Sequence, residues 1–86
     1  MLEFDEQKSE TNKGKHGIDF KEAQVLWDAD DRIIIPAINL DEARFLLIAK
    51  KDEKHWSAIF TIRNKKVRII SVRRSRPKEI EIYENG

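Results

Sequence analysis

Three strand-like stretches, residues 43–50, 55–63 and 67–74, follow one another with only short polar joins. Connections that brief can close antiparallel pairs but not parallel ones, which need a long crossover. Ala43 to Lys50 is nearly continuous in apolar character. His55 to Arg63 alternates, with Trp56, Ala58, Phe60 and Ile62 on one face, and Val67 to Arg74 completes the set. Ahead of them, Arg32-Ile33-Ile34-Ile35 is short and β-branched, and Pro36 either ends its pairing or marks it as an edge strand. The expected core is a four-stranded antiparallel meander.

Helices should flank it. Asp5 is a good N-cap and Gly17 a good residue beyond a C-terminus, yet the segment between them has no apolar stripe to bury. Either polar contacts anchor it as a helix, with Lys8, Asn12, Lys15 and His16 on one face, or it is a solvated arm. The next segment is clearer. Asp19 and Glu22 have capping-box spacing, Ile18 can staple onto Ala23, and Phe20, Ala23, Leu26 and Trp27 form a helical stripe that should bury against the sheet. Pro77 sits where a last helix would start, followed by Ile80, Ile82 and Tyr83. The whole reads as one α+β domain: two N-terminal helices, the meander and a short C-terminal helix.

Charge is sharply divided. From Lys54 to Lys78 there are nine Lys or Arg and no Asp or Glu, whereas residues 1–53 hold thirteen acids against eight bases, so the net charge of +1 conceals a basic segment. Such a block either attracts a polyanion or is a solvated face balancing the acidic half. The chain has no cysteine, which removes disulfides and thiolate chemistry. Its apolar runs are far shorter than a membrane span, and Met1 to Glu6 lacks the features of a secretory signal, so a cytoplasmic protein is expected.

Hairpin register bears on function. If Asn64-Lys65-Lys66 is a three-residue loop, Arg63 pairs with Val67 and Ser57 with Arg73. Arg63, Ile59, Ile69, Ser71 and Arg73 then share one face, while Trp56, Phe60 and Ile62 lie on the other with Ile70 and Val72. A two-residue loop would split the arginines across faces. The three-residue loop is preferred because it groups the bulky apolar residues.

The motif residues resemble those of the BrnT toxins of bacterial type II toxin–antitoxin pairs. The N-terminal motif reads Phe4-Asp5, Lys8, Asn12 and Lys15-His16-Gly17, then Asp19-Phe20-Lys21-Glu22-Ala23. The C-terminal one reads Thr61-Ile62-Arg63, then Arg68-Ile69-Ile70-Ser71-Val72-Arg73-Arg74, Glu79 and Tyr83. The chain departs from the pattern in three places: Phe4 stands where Trp is usual, Val72 where Ala is, and Lys50 where Gly is common. The resemblance implies a RelE-like fold and RNA cleavage without a metal or cofactor. It also implies a cognate BrnA-like ribbon-helix-helix antitoxin, through which alone operator DNA is reached.

Metal-free RNA cleavage must move two protons and stabilise charge on phosphate oxygens. Arg63 and Arg73 suit the last task, because a guanidinium fork grips two oxygens, and the preferred register would let them share one phosphate. His16 is a candidate general base or acid, set against the plainer role of a cation at a helix C-terminus. Lys15 can hold phosphate or, if burial lowers its pKa, assist proton transfer. Glu79 and Tyr83 can orient an arginine or shuttle a proton. Arg68 and Arg74 are expected to face solvent, His55 to be structural, and Arg73→Ala to cost only about 0.5 kcal/mol of stability as a surface change. Two widely spaced histidines do not suggest a zinc site. The same basic sheet also fits a non-catalytic nucleic-acid-binding module, or an interaction domain for an acidic partner helix.

Overall fold

The turns at Asp52-Glu53 and Asn64-Lys65 are two residues long and wholly left-handed, with φ 53° and 65° in the first and 50° and 65° in the second. Such turns match the right-handed twist of the strands they join. The computed structural model describes residues 2–37 and 43–86. The strands are β1 (Leu2–Glu3), β2 (Ile33–Ala37), β3 (Arg44–Lys51), β4 (Lys54–Arg63) and β5 (Lys66–Arg74). The helices are α1 (Glu6–His16), a 3-10 helix at Glu22–Asp28, and α2 (Pro77–Asn85).

The sheet order is β1-β5-β4-β3-β2. Strands β2 to β5 form the expected antiparallel meander, but the sheet has five strands and is mixed, because β1 pairs parallel with β5 through Leu2–Val67 and Glu3–Arg68. A two-residue strand is too short for any periodic signal. Pro36 lies within β2 opposite Phe45, which the edge position of that strand permits.

The second N-terminal helix is only a 3-10 segment. Its capping box forms as expected: Glu22 N donates to Asp19 Oδ1 at 2.7 Å and Asp19 N to Glu22 Oε1 at 2.9 Å. Ala23 and Leu26 are buried, joining Ile18 and Phe20 against Leu47, Ala49, Trp56, Ala58, Phe60, Ile69 and Val72. Trp27 sits at the margin of this core, half-buried and edge-on to Phe60 at 5.5 Å. On the opposite sheet face lie Ile48, Ser57 and Ile59, and α2 packs there. Pro77 is the first residue of that helix.

The hairpin register differs from the expected one in an instructive way. Arg63 pairs with Lys66, not Val67, so the loop is Asn64-Lys65. Phe60 pairs with Ile69 but Ile59 pairs with Ser71, leaving Ile70 as the extra residue of a β-bulge. The short loop and the bulge shift the register by one residue in compensating senses, so Ser57 does face Arg73. Ile69, not Ile70, takes the buried place as a result. A second core assignment fails for another reason: Ile62 stays on the Phe60 face, opposite Val67, but near the hairpin tip it is 54% exposed.

Candidate active site

Helix α1 is anchored by two buried polar side chains, which is how a segment with no apolar stripe comes to be ordered. Asp5 accepts from Lys8 N at 3.0 Å at the start, and Gly17 ends the helix at φ 79°, a left-handed conformation that suits glycine. Ser9 Oγ accepts from Phe20 N at 2.9 Å. Asn12 does more: Nδ2 donates to Ile18 O and Val72 O, both at 2.8 Å, while Oδ1 accepts from Val72 N at 3.1 Å. Its amide thus pairs with the outer edge of β5 as another strand would, continuing the edge that β1 covers at Val67 and Arg68. Phe4 packs edge-on against Phe20 at 5.7 Å.

This clamp sets one face of α1 beside the bulge. Lys8, Thr11, Asn12, Lys15 and His16 line a cleft of about 190 Å³, closed on the sheet side by Ile70 and Ser71. The four residues expected on one helix face therefore do share it. Lys13 points elsewhere, paired with Glu22 at 2.7 Å.

Arg73 follows Ser71 by two residues on the same side of β5, so their Cα atoms are about 7 Å apart. Its guanidinium grips Glu79 with two prongs, Nη1 to Oε1 and Nη2 to Oε2, both at 2.8 Å, and Nη1 also donates to Arg74 O at 3.3 Å. Without the bulge, Arg73 would oppose Trp56 on the core face; with it, the side chain points toward α2. Among the described residues none accepts from Nε. That nitrogen and the outer proton of Nη2 form a second fork able to take another anion.

Glu79 is fixed as a carboxylate. The Arg73 guanidinium, the Arg76 amide and the Ser57 hydroxyl outweigh partial burial and hold its pKa down at about 2. That suits orienting an arginine, and not shuttling a proton near neutrality. Tyr83 is engaged elsewhere. Its hydroxyl donates to Asp31 at 2.6 Å, its ring meets His55 edge-on at 5.4 Å, and burial and then Asp31 push its pKa up to about 12. His55 binds Glu84 at 2.7 Å, so that cluster ties α2 to the sheet.

Arg63 occupies the last position of β4, exposed beside the turn. Strand alternation puts it on the same face as Arg73, but six residues separate it from Ser57, the partner of Arg73, a distance of about 20 Å. The two arginines therefore do not converge on one phosphate. The basic block is dispersed too: Arg68 is half-buried beside Glu3 at 3.4 Å, and Arg74 lies over the Trp56 ring at 5.6 Å. The α1 cleft instead collects Lys8 and Ser71, whose chemical role, like that of Ser57, is not evident from sequence. A short polar residue inside an apolar strand was the available signal for the two serines.

Residues 4–79 match the family of the ribonuclease toxin BrnT of type II toxin–antitoxin systems. The chain belongs to the BrnT family. The match spans the N-terminal motif, the C-terminal motif as far as Glu79, and every side chain of the α1 cleft and the Arg73–Glu79 pair, whereas Tyr83 lies beyond it. No curated protein matches the chain. As a BrnT family member, the chain has a ribonuclease toxin's RNA substrate and antitoxin partner as its family context. No helix of the described residues is long and apolar enough to cross a membrane.

Proposed function

We propose that this chain is a metal-independent endoribonuclease with a RelE-like fold, whose active site is the α1 cleft together with Arg73. The carrying observation is the convergence of Lys8, Lys15 and His16 with Ser71 in one cleft, beside an arginine whose second fork remains open. In the reaction, the ribose 2′-oxygen attacks the adjacent phosphorus and the bond to the 5′-oxygen breaks, leaving a 2′,3′-cyclic phosphate and a 5′-hydroxyl. His16 and Lys15 are the groups that take the 2′-proton and return one to the leaving oxygen. Arg73, oriented by Glu79, and Lys8 stabilise the charge on the phosphate oxygens. Arg63 lies too far away for the reacting phosphate and serves the RNA backbone beyond it.

Cleavage of cytoplasmic RNA would inhibit translation. A cognate ribbon-helix-helix antitoxin would neutralise the toxin and connect it to operator DNA. The test is expression without antitoxin in a bacterial host. Growth should arrest, and Arg73→Ala, confirmed as folded, should relieve the arrest. Full toxicity of that variant would contradict the assignment, and absence of arrest by the native chain would favour a non-catalytic binding domain.

A further inference from the structure

Ser57 is fully buried in β4 between Trp56 and Ala58, and its hydroxyl meets Ser75 and Glu79. A hydroxyl has one proton, and here it goes to Glu79 Oε1 at 2.8 Å, so the 2.7 Å contact with Ser75 must be donated by Ser75. The result is a directed chain, Ser75 to Ser57 to Glu79, ending on the carboxylate that Arg73 grips. Ser57 is also the cross-strand partner of Arg73, on the same face by virtue of the bulge. Among the described residues, its hydrogen-bonded route to the arginine runs through Glu79.

We infer that Ser57 is a positioning residue of the ribonuclease reaction, fixing the plane of the Glu79 carboxylate so that the open fork of Arg73 faces the phosphate. The inference rests on the active-site reading above. Glu79 Oε1 accepts from Arg73, Ser57 and Arg76 N. Removing the serine donor leaves the carboxylate freer to rotate about its last bond, and the guanidinium plane must follow it. Because the fork's alignment matters most as charge develops on the phosphate, the loss should fall on the chemical step and not on RNA binding.

The experiment compares native protein, Ser57→Ala, Glu79→Gln and the double variant on a short RNA, with thermal unfolding measured in parallel. Ser57→Ala should lower kcat about tenfold, the scale of one hydrogen bond to a charged group, with KM unchanged. In the Glu79→Gln background the same substitution should have little further effect, since the group it acts through has been altered. Should Ser57→Ala fold poorly, Ser57→Cys leaves no cavity, is slightly larger and keeps a weaker donor, and should show a smaller fall of the same kind. A native kcat in a folded Ser57 variant, or an equal fall in the Glu79→Gln background, overturns the inference while leaving the active site intact. Native activity of Arg73→Ala would overturn both.

Discussion

Arg73 and Glu79 meet through two parallel hydrogen bonds of 2.8 Å, with both side chains less than a fifth exposed. An arginine so held has lost much of its rotamer freedom before any RNA arrives. A bidentate pair of this kind is stronger and more directional than a single contact. The same pair changes what a substitution should do to stability. Arg73→Ala strands a largely buried carboxylate, so chemical denaturation should show a loss of roughly 1–3 kcal/mol, well above the surface value expected from sequence. A loss below about 0.5 kcal/mol would mean that the pair is loose in solution.

Glu79 also makes stability depend on acid. Its carboxyl lies at about 2 in the fold against an ordinary 4.5, so the unfolded chain binds more protons between those values. The stabilisation is complete above about pH 4.5 and drains away as pH falls toward about 2. Unfolding followed across that window should show stability rising with pH, with a shallower slope in Glu79→Gln. Identical slopes would remove Glu79 as the responsible group.

The meander, the capping residues Asp5, Gly17 and Asp19, and the start of α2 at Pro77 were all legible from the sequence, because each depends on local chemistry or on the spacing of apolar residues. What escaped was decided by non-local pairing. Strand β1 is two residues long and exists only because β5 offers it an edge. The bulge at Ile70 leaves no compositional mark, yet it turns Arg73 toward Glu79 and moves Ile69 into the core. The α1 face was readable as a cluster of Lys8, Asn12, Lys15 and His16. Nothing in the spacing of Asn12 indicates its bonds to Val72, sixty residues away.

Asn12 should therefore be the costliest polar side chain of α1 to remove. Its three buried bonds serve Ile18 and both backbone groups of Val72. Asn12→Ala should destabilise the fold by roughly 2–4 kcal/mol and speed hydrogen exchange at Val72 N–H. Native-like exchange there would show that the edge of β5 does not depend on the clamp.

The second turn offers a gain. Lys65 holds φ 65°, a left-handed conformation disfavoured for a residue with a Cβ, in a turn type that prefers Asn-Gly. Lys65→Gly should raise stability by about 0.5–1 kcal/mol in denaturant melts. A loss would argue against the two-residue turn and the register that follows from it.

The central claim, that the α1 cleft and Arg73 together cleave RNA without a metal, is tested most directly by single-turnover cleavage of a defined RNA in excess EDTA. Native protein should cleave, yielding 2′,3′-cyclic phosphate ends, with His16→Ala and Arg73→Ala slower by about 10²–10³, the scale of a lost proton carrier or transition-state donor. Arg73→Lys should stay close to Arg73→Ala, because an ammonium keeps the charge but not the fork. Cleavage abolished by EDTA and restored by magnesium, or unaffected by both the His16 and Arg73 changes, would contradict the account.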